Sequence, residues 1–179
     1  MDWLNQITDI MDKYGTGDPA NVPGSVDDDF DRFSRTAPQS TVSEGLAEAF
    51  RSRQTPPFAT MLSQLFDRSP SNQKANVLNT LVATLGPALV SQLLAKHGAN
   101  RAAQELQGDH VTISPEIAEQ IPSNSIEAVA AQAEKKDPSI VDRVSKFYAE
   151  QPALIKTLGG LALTVAMAKI AQRQTQPRG

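Results

Sequence analysis

The chain contains no cysteine, has only two histidines, and draws just 5% of its residues from phenylalanine, tyrosine and tryptophan. Without cysteine there is no disulfide, no thiolate nucleophile and no cysteine-based metal site, a composition that fits a reducing cytoplasm. His97 and His110 stand in neither a His-x-x-x-His nor a Glu-x-x-His arrangement, so they do not place two ligands on one helical face. No nucleophile elbow accompanies them either, and both read as structural. Clustered lysine and arginine with interleaved aromatics are absent too. With a formal net charge of −3, nucleic acid is not an expected partner. A long hydrophobic run is also missing. The most apolar stretch, 153–171, has twelve residues between Lys156 and Lys169, short of the roughly 20 that cross a hydrocarbon core. The opening Met1-Asp2-Trp3-Leu4 lacks a basic region and an apolar signal core, so the expected location is the bacterial cytoplasm.

What is present suits a globular chain that buries a core: 179 residues, 40% apolar and 21% charged. Residues 1–14 place Trp3, Leu4, Ile7, Ile10, Met11 and Tyr14 in one stripe, predicting an amphipathic helical arm. Residues 15–24 then carry two prolines and three glycines and read as a linker. An all-helical domain follows over 25–173, with a polar tail over 174–179.

Within that domain, Ser25 is placed to cap a helix whose first turn holds Asp27, Asp28 and Asp29 and whose inward anchors are Phe30 and Phe33. Thr41 and Glu44 form a capping box opening a helix through Leu46, Ala49 and Phe50. Pro56-Pro57 starts another, with Phe58, Met61, Leu62, Leu65 and Phe66 on one face. Two strongly apolar helices carry Val77 to Leu85 and Leu89 to Leu94, separated by Gly86-Pro87. Val111-Thr112-Ile113 is the one β-like run, too short to define a sheet. Ser114-Pro115, Asn124, Asp137-Pro138 and Pro152 open the remaining helices. The fold class is therefore all-α: a compact multi-helix bundle of about eight or nine helices, with a central apolar C-terminal helix over 153–171 and an N-terminal helical arm.

Several local patterns resemble functional motifs and have simpler explanations. Gly15-x-Gly17-x-x-Ala20 follows a helix and contains Pro19, whereas a dinucleotide fingerprint must lie between a strand and a helix. Ser71-x-x-Lys74 matches a hydrolase motif, but its partner motifs do not follow, and Ser71 reads as a helix cap. Asp27, Asp28, Asp29 and Asp31 cannot make an EF-hand, because its glycine and glutamate positions fall on Arg32 and Pro38. Gly159-Gly160 is more unusual. Two glycines inside a helix cost about 1 kcal/mol each relative to alanine. Together with Ala162 and Ala166 they predict a close helix contact, within one subunit or between subunits.

The stretch 78–134 resembles the YidB-like family of small helical bacterial proteins of unknown function. The residues that carry it are the leucine-rich helix pair ending at Leu93-Leu94, then Gly108, then Ile113-Ser114-Pro115-Glu116, then the alanine-rich helix from Ile126 to Ala133. The resemblance implies a compact helical fold and transfers no catalytic residue. The N-terminal arm and the Gly-Gly terminal helix depart from the family.

These features point to a non-enzymatic interaction or self-assembly module with no cofactor and no metal. Its expected contacts are Trp3, Leu4, Ile7, Ile10, Met11, Tyr14, Gly159 and Gly160, and its partner is a second copy or another protein. One alternative is a membrane-surface protein that releases its terminal hairpin into lipid. Another is an enzyme with a helical active site that no motif announces.

Overall fold

The computed structural model describes residues 26–106 and 112–175, with side chains as far as Ala171. Of these residues 79% are α-helical, and none lies in a strand. In chain order the helices are α1 (Val26–Thr36), α2 (Gln39–Arg51), α3 (Phe58–Arg68), α4 (Ser71–Leu85), α5 (Pro87–Lys96) and α6 (Asn100–Glu105). Then come α7 (Pro115–Ala118), α8 (Ser123–Lys136), α9 (Ile140–Ala149), α10 (Pro152–Ile155), a 3-10 turn (Lys156–Leu158) and α11 (Gly160–Thr175). The all-α class expected from periodicity holds. Among the described residues eleven helices replace the eight or nine expected, because α6 carries no strong local signal and the C-terminal stretch is divided.

The expected single helical body resolves into two compact units. One comprises residues up to Pro57 together with those from Tyr148 onward, and the other runs from Phe58 to Phe147. In the first unit, α11 packs chiefly on α2, and α1 packs on α11 and α10. Gly45 of α2 lies against α11. A Cβ there would lie 2.5 Å from Cδ1 and Cγ1 of Ile170 and 3.1 Å from the carbonyl oxygen of Ala166. Ala49, Val165 and Ala166 are buried together beside this crossing, with Leu161 against them. Small side chains let two helix axes come close and gain dispersion contact along their length. Phe30 and Phe33 of α1 are fully enclosed, as their spacing predicts. Asp31, half-buried on the same helix, accepts from Arg35 at 2.6 Å and forms an ion pair with Lys156 at 3.6 Å.

Two boundaries differ from the sequence reading. Helix α2 begins at Gln39, where the Pro38 carbonyl accepts the first amides, those of Thr41 and Val42. Thr41 is thus inside the first turn and buried, so it is not the cap. The stretch 153–171 is not one helix. Gly159 adopts φ 99°, a left-handed conformation that glycine takes without a Cβ clash, and α10 with its 3-10 turn meets α11 at 116°. The Thr157 hydroxyl donates to the Leu154 carbonyl, and the Gly159 amide to that of Lys156, closing off the turn.

The second unit is organised by α3 against α8. Phe58, Met61, Leu62, Leu65 and Phe66 form the buried face of α3, and Ile126, Val129, Ala130 and Ala133 that of α8. Helix α4 packs on α7, α8, α5 and α3, and α5 packs on α6 and α8. As read from sequence, Gly86 (φ 92°) and Pro87 at the first helical position separate α4 from α5, which meet at 118°. Buried hydroxyls fasten the ends: Ser91 donates to the Ala103 carbonyl at 2.9 Å, and Ser125 to that of His97 at 3.1 Å. The two regions placed at the centre of the bundle, 77–94 and 153–171, belong to different units, and each has its own core.

Candidate functional site

The six apolar arm residues expected to make contacts (Trp3, Leu4, Ile7, Ile10, Met11 and Tyr14) lie outside the described residues, as do Ser25, Val111 and His110. Gly159 and Gly160 are in place but do not act as a mid-helix contact. Gly159 forms the break, and a Cβ added to it would meet nothing within 4 Å. Gly160 is the first residue of α11. A close contact on α11 is found instead at Gly45 of α2, against the Ile170 side chain and the Ala166 carbonyl oxygen. His97 caps the C-terminus of α5, as its position before Gly98 suggests. The first turn of α1 holds Asp27, Asp28 and Asp29, facing the positive end of the helix dipole. Among the described residues, no group of three or more potential ligands is gathered to hold a metal ion.

The Ser-x-x-Lys residues do come together, around a residue that no local pattern marks. Pro70 precedes α4 and Ser71 opens its first turn, so Ser71 is not the cap. Its hydroxyl donates to Oε2 of Glu119 at 2.6 Å, and Nζ of Lys74 lies 3.5 Å from Oε1 of the same carboxylate. Lys74 is buried, with its ammonium 5.4 Å from the Phe66 ring centroid, an added cation–π contact. The Ser71 hydrogen bond, followed by the charge of Lys74, lowers the Glu119 pKa from its ordinary 4.5, against a smaller desolvation effect. Such a carboxylate is a poor base for activating Ser71. The cluster acts as a clasp between the start of α4 and the end of α7.

Two outcomes follow for this clasp. Glu119→Ala leaves the Lys74 ammonium buried without its anion, so it should lower the thermal midpoint more than Lys74→Met, which removes the charge and keeps the apolar stem. Because the folded-state pKa of Glu119 is depressed, its contribution is complete above about 4.5 and is lost as pH falls through the folded value. Thermal melts taken from neutral to acidic pH should therefore show a shallower acid loss for Glu119→Gln than for the native chain. Parallel pH curves would mean that the clasp carries no linkage.

A groove open to another molecule lies elsewhere in the second unit. Asn76, Asn79, Thr80 and Ala83 on α4 and Arg143, Lys146 and Phe147 on α9 line an open groove of about 550 Å³. Both sets follow helical spacing, so each wall is one helix face. Asn76, Ala83 and Lys146 are exposed; Thr80 and Phe147 are half-buried. Asn79 is engaged in the wall itself. Its Oδ1 accepts from the Ile113 amide at 2.7 Å, and its Nδ2 donates to the Ile113 carbonyl at 3.2 Å. Arg143 reaches Oδ2 of Asp137 at 2.8 Å. Asp137 also accepts from the hydroxyl and amide of Ser139, and these bonds, ahead of the Arg143 charge, hold its pKa below the usual value. The result is an open groove lined by Phe147 and Ala83, by the polar Asn76, Asn79 and Thr80, and by Lys146 and the ion-paired Arg143. No periodicity argument could find it, because its walls are more than fifty residues apart.

Comparison with family models, with curated proteins and with solved structures gives no match for this chain. These comparisons give no support to the YidB-like resemblance expected for 78–134.

Proposed function

We propose that the protein is a non-enzymatic helical interaction module that assembles with further copies of itself. The observation that carries this reading is the open groove between α4 and α9, whose two helical walls offer apolar surface flanked by Arg143 and Lys146. Surfaces of this form receive amphipathic helices through anchors spaced at helical intervals. The chain's own sequence supplies such an element in residues 1–14, on a linker rich in glycine and proline. A short isolated helix is marginal in water and persists by docking. Fully burying two or three of its six large apolar side chains is worth about 1.5–3 kcal/mol each. The lack of cysteine suits work in a reducing cytoplasm.

The test is mass in solution, by light scattering or sedimentation, with and without residues 1–24. The native chain is expected to be an oligomer, and the truncated chain to have a lower oligomeric mass while its helical body stays folded. Monomeric behaviour of both would overturn self-assembly.

One observation favours a second reading, association with a membrane surface. No helix among the described residues is long and apolar enough to cross a membrane, yet Ser71–Leu85 with Pro87–Lys96, and Pro152–Leu158 with Gly160–Ala171, pass by length and composition as bent pairs. Co-sedimentation with neutral liposomes in physiological salt would promote that reading over the first.

A further inference from the structure

We propose that the groove between α4 and α9 receives residues 1–14 of a second copy of this chain. The inference rests on the self-assembly reading above and adds to it the receiving surface. One wall offers Thr80 and Ala83, the other Phe147; Lys146 gives the lining a positive charge, while Arg143 beside it is paired with Asp137. The arm has the matching form. Trp3, Ile7, Ile10 and Tyr14 recur at steps of four, three and four residues, the anchor spacing of a helix lying in a groove.

Charge agrees in sign. Asp2, Asp9 and Asp12 outnumber Lys13 in the arm, so its side chains are net negative where those of the groove are net positive. On a helix these acids lie away from the apolar stripe, so their attraction acts at a distance, on approach and orientation. Anchoring then falls to the apolar contacts. Residues 15–24 extend up to roughly 33 Å, enough to cross to a neighbouring copy. One arm and one groove per chain also allow closure: in a two-fold pair each arm fills the other copy's groove, and neither surface is left over.

The experiment uses the full chain with p-benzoylphenylalanine in place of Tyr14, an aromatic for an aromatic, mixed with an excess of native copy labelled with nitrogen-15. Irradiation should join position 14 to a labelled peptide carrying the groove residues of α4 or α9. Products joined only to unlabelled groove peptides, with the labelled copy in excess, mean docking in cis and overturn the proposal, as does a product with any other segment. In parallel, Ala83→Trp fills the groove at a site where the fold does not require alanine. It should reduce the oligomeric state to that of the chain lacking residues 1–24, with circular dichroism unchanged beyond the loss of the arm's own helix. If deletion of the arm lowers the mass and Ala83→Trp does not, self-assembly stands and the groove is not its receiving surface. If the native chain is a monomer, both proposals fall.

Discussion

Gly45→Leu is expected to lower stability by about 3 kcal/mol, the upper end of the usual overpacking range and a large part of what a domain of this size has to lose. At Gly45 even a single carbon is too much. A Cβ would stand 2.5 Å from the Ile170 side chain, inside van der Waals contact, and 3.1 Å from the Ala166 carbonyl oxygen. The Ile170 tip can rotate away; the carbonyl belongs to the helix ladder and cannot. Leucine would therefore force α2 and α11 apart along the contact that organises the first unit. Glu44→Leu, at the exposed neighbouring position, supplies the control, since it places the same side chain on the solvent side of α2. Thermal or urea unfolding reads both. Gly45→Ala separates sterics from helix propensity, because alanine is the better helix former by about 1 kcal/mol and should still destabilise here. Ile170→Ala removes both conflicting carbons, so the double variant should lose less than the sum of the two single changes. A Gly45→Leu midpoint equal to that of the native chain would show that the crossing is loose.

This contact also marks where the sequence stops being informative. Glycine breaks and proline starts are local chemistry, so the separation of α4 from α5 at Gly86-Pro87 and the Ser114 cap of α7 could be read residue by residue. Apolar stripes gave the buried faces of α1, α3 and α8, since helical period alone decides which residues share a side. Gly159 misled for the opposite reason. In a stretch apolar all round there is no polar face whose phase could slip, so a break leaves no mark in the pattern. Gly45 was silent because its role depends on a residue 125 positions later. Glu119 was silent in the same way: it completes the clasp with Ser71 and Lys74 from 48 and 45 positions away. The groove on α4 and α9 depends on which helices become neighbours, and that is a property of the fold.

Asn79→Ala should cost about 2–3 kcal/mol, because it removes both partners of one backbone unit in a single change. Ile113 is buried, and its amide and carbonyl are both bonded to the Asn79 side chain, at 2.7 and 3.2 Å. A primary amide is the one side-chain group that offers a donor and an acceptor in the arrangement a neighbouring strand would present. That explains how the β-like segment at Ile113 is accommodated with no strand among the described residues. The residue's own peptide is paired by a helix side chain. Alanine would leave both groups to find water or stay unpaired, so amide exchange at Ile113 should quicken by at least as much as at neighbouring helical amides, as NMR would show. Asn79→Asp sharpens the test. The introduced carboxylate still accepts from the Ile113 amide but faces the Ile113 carbonyl with negative charge, which favours its neutral form and raises its folded-state pKa. The sign then runs opposite to that of Glu119: the penalty is complete above the folded pKa and relieved as pH falls toward the unfolded value of about 3.9, where the protonated acid regains a donor. An Asn79→Asp chain whose deficit against the native protein stays constant on acidification would show that this bond pair does not hold the segment.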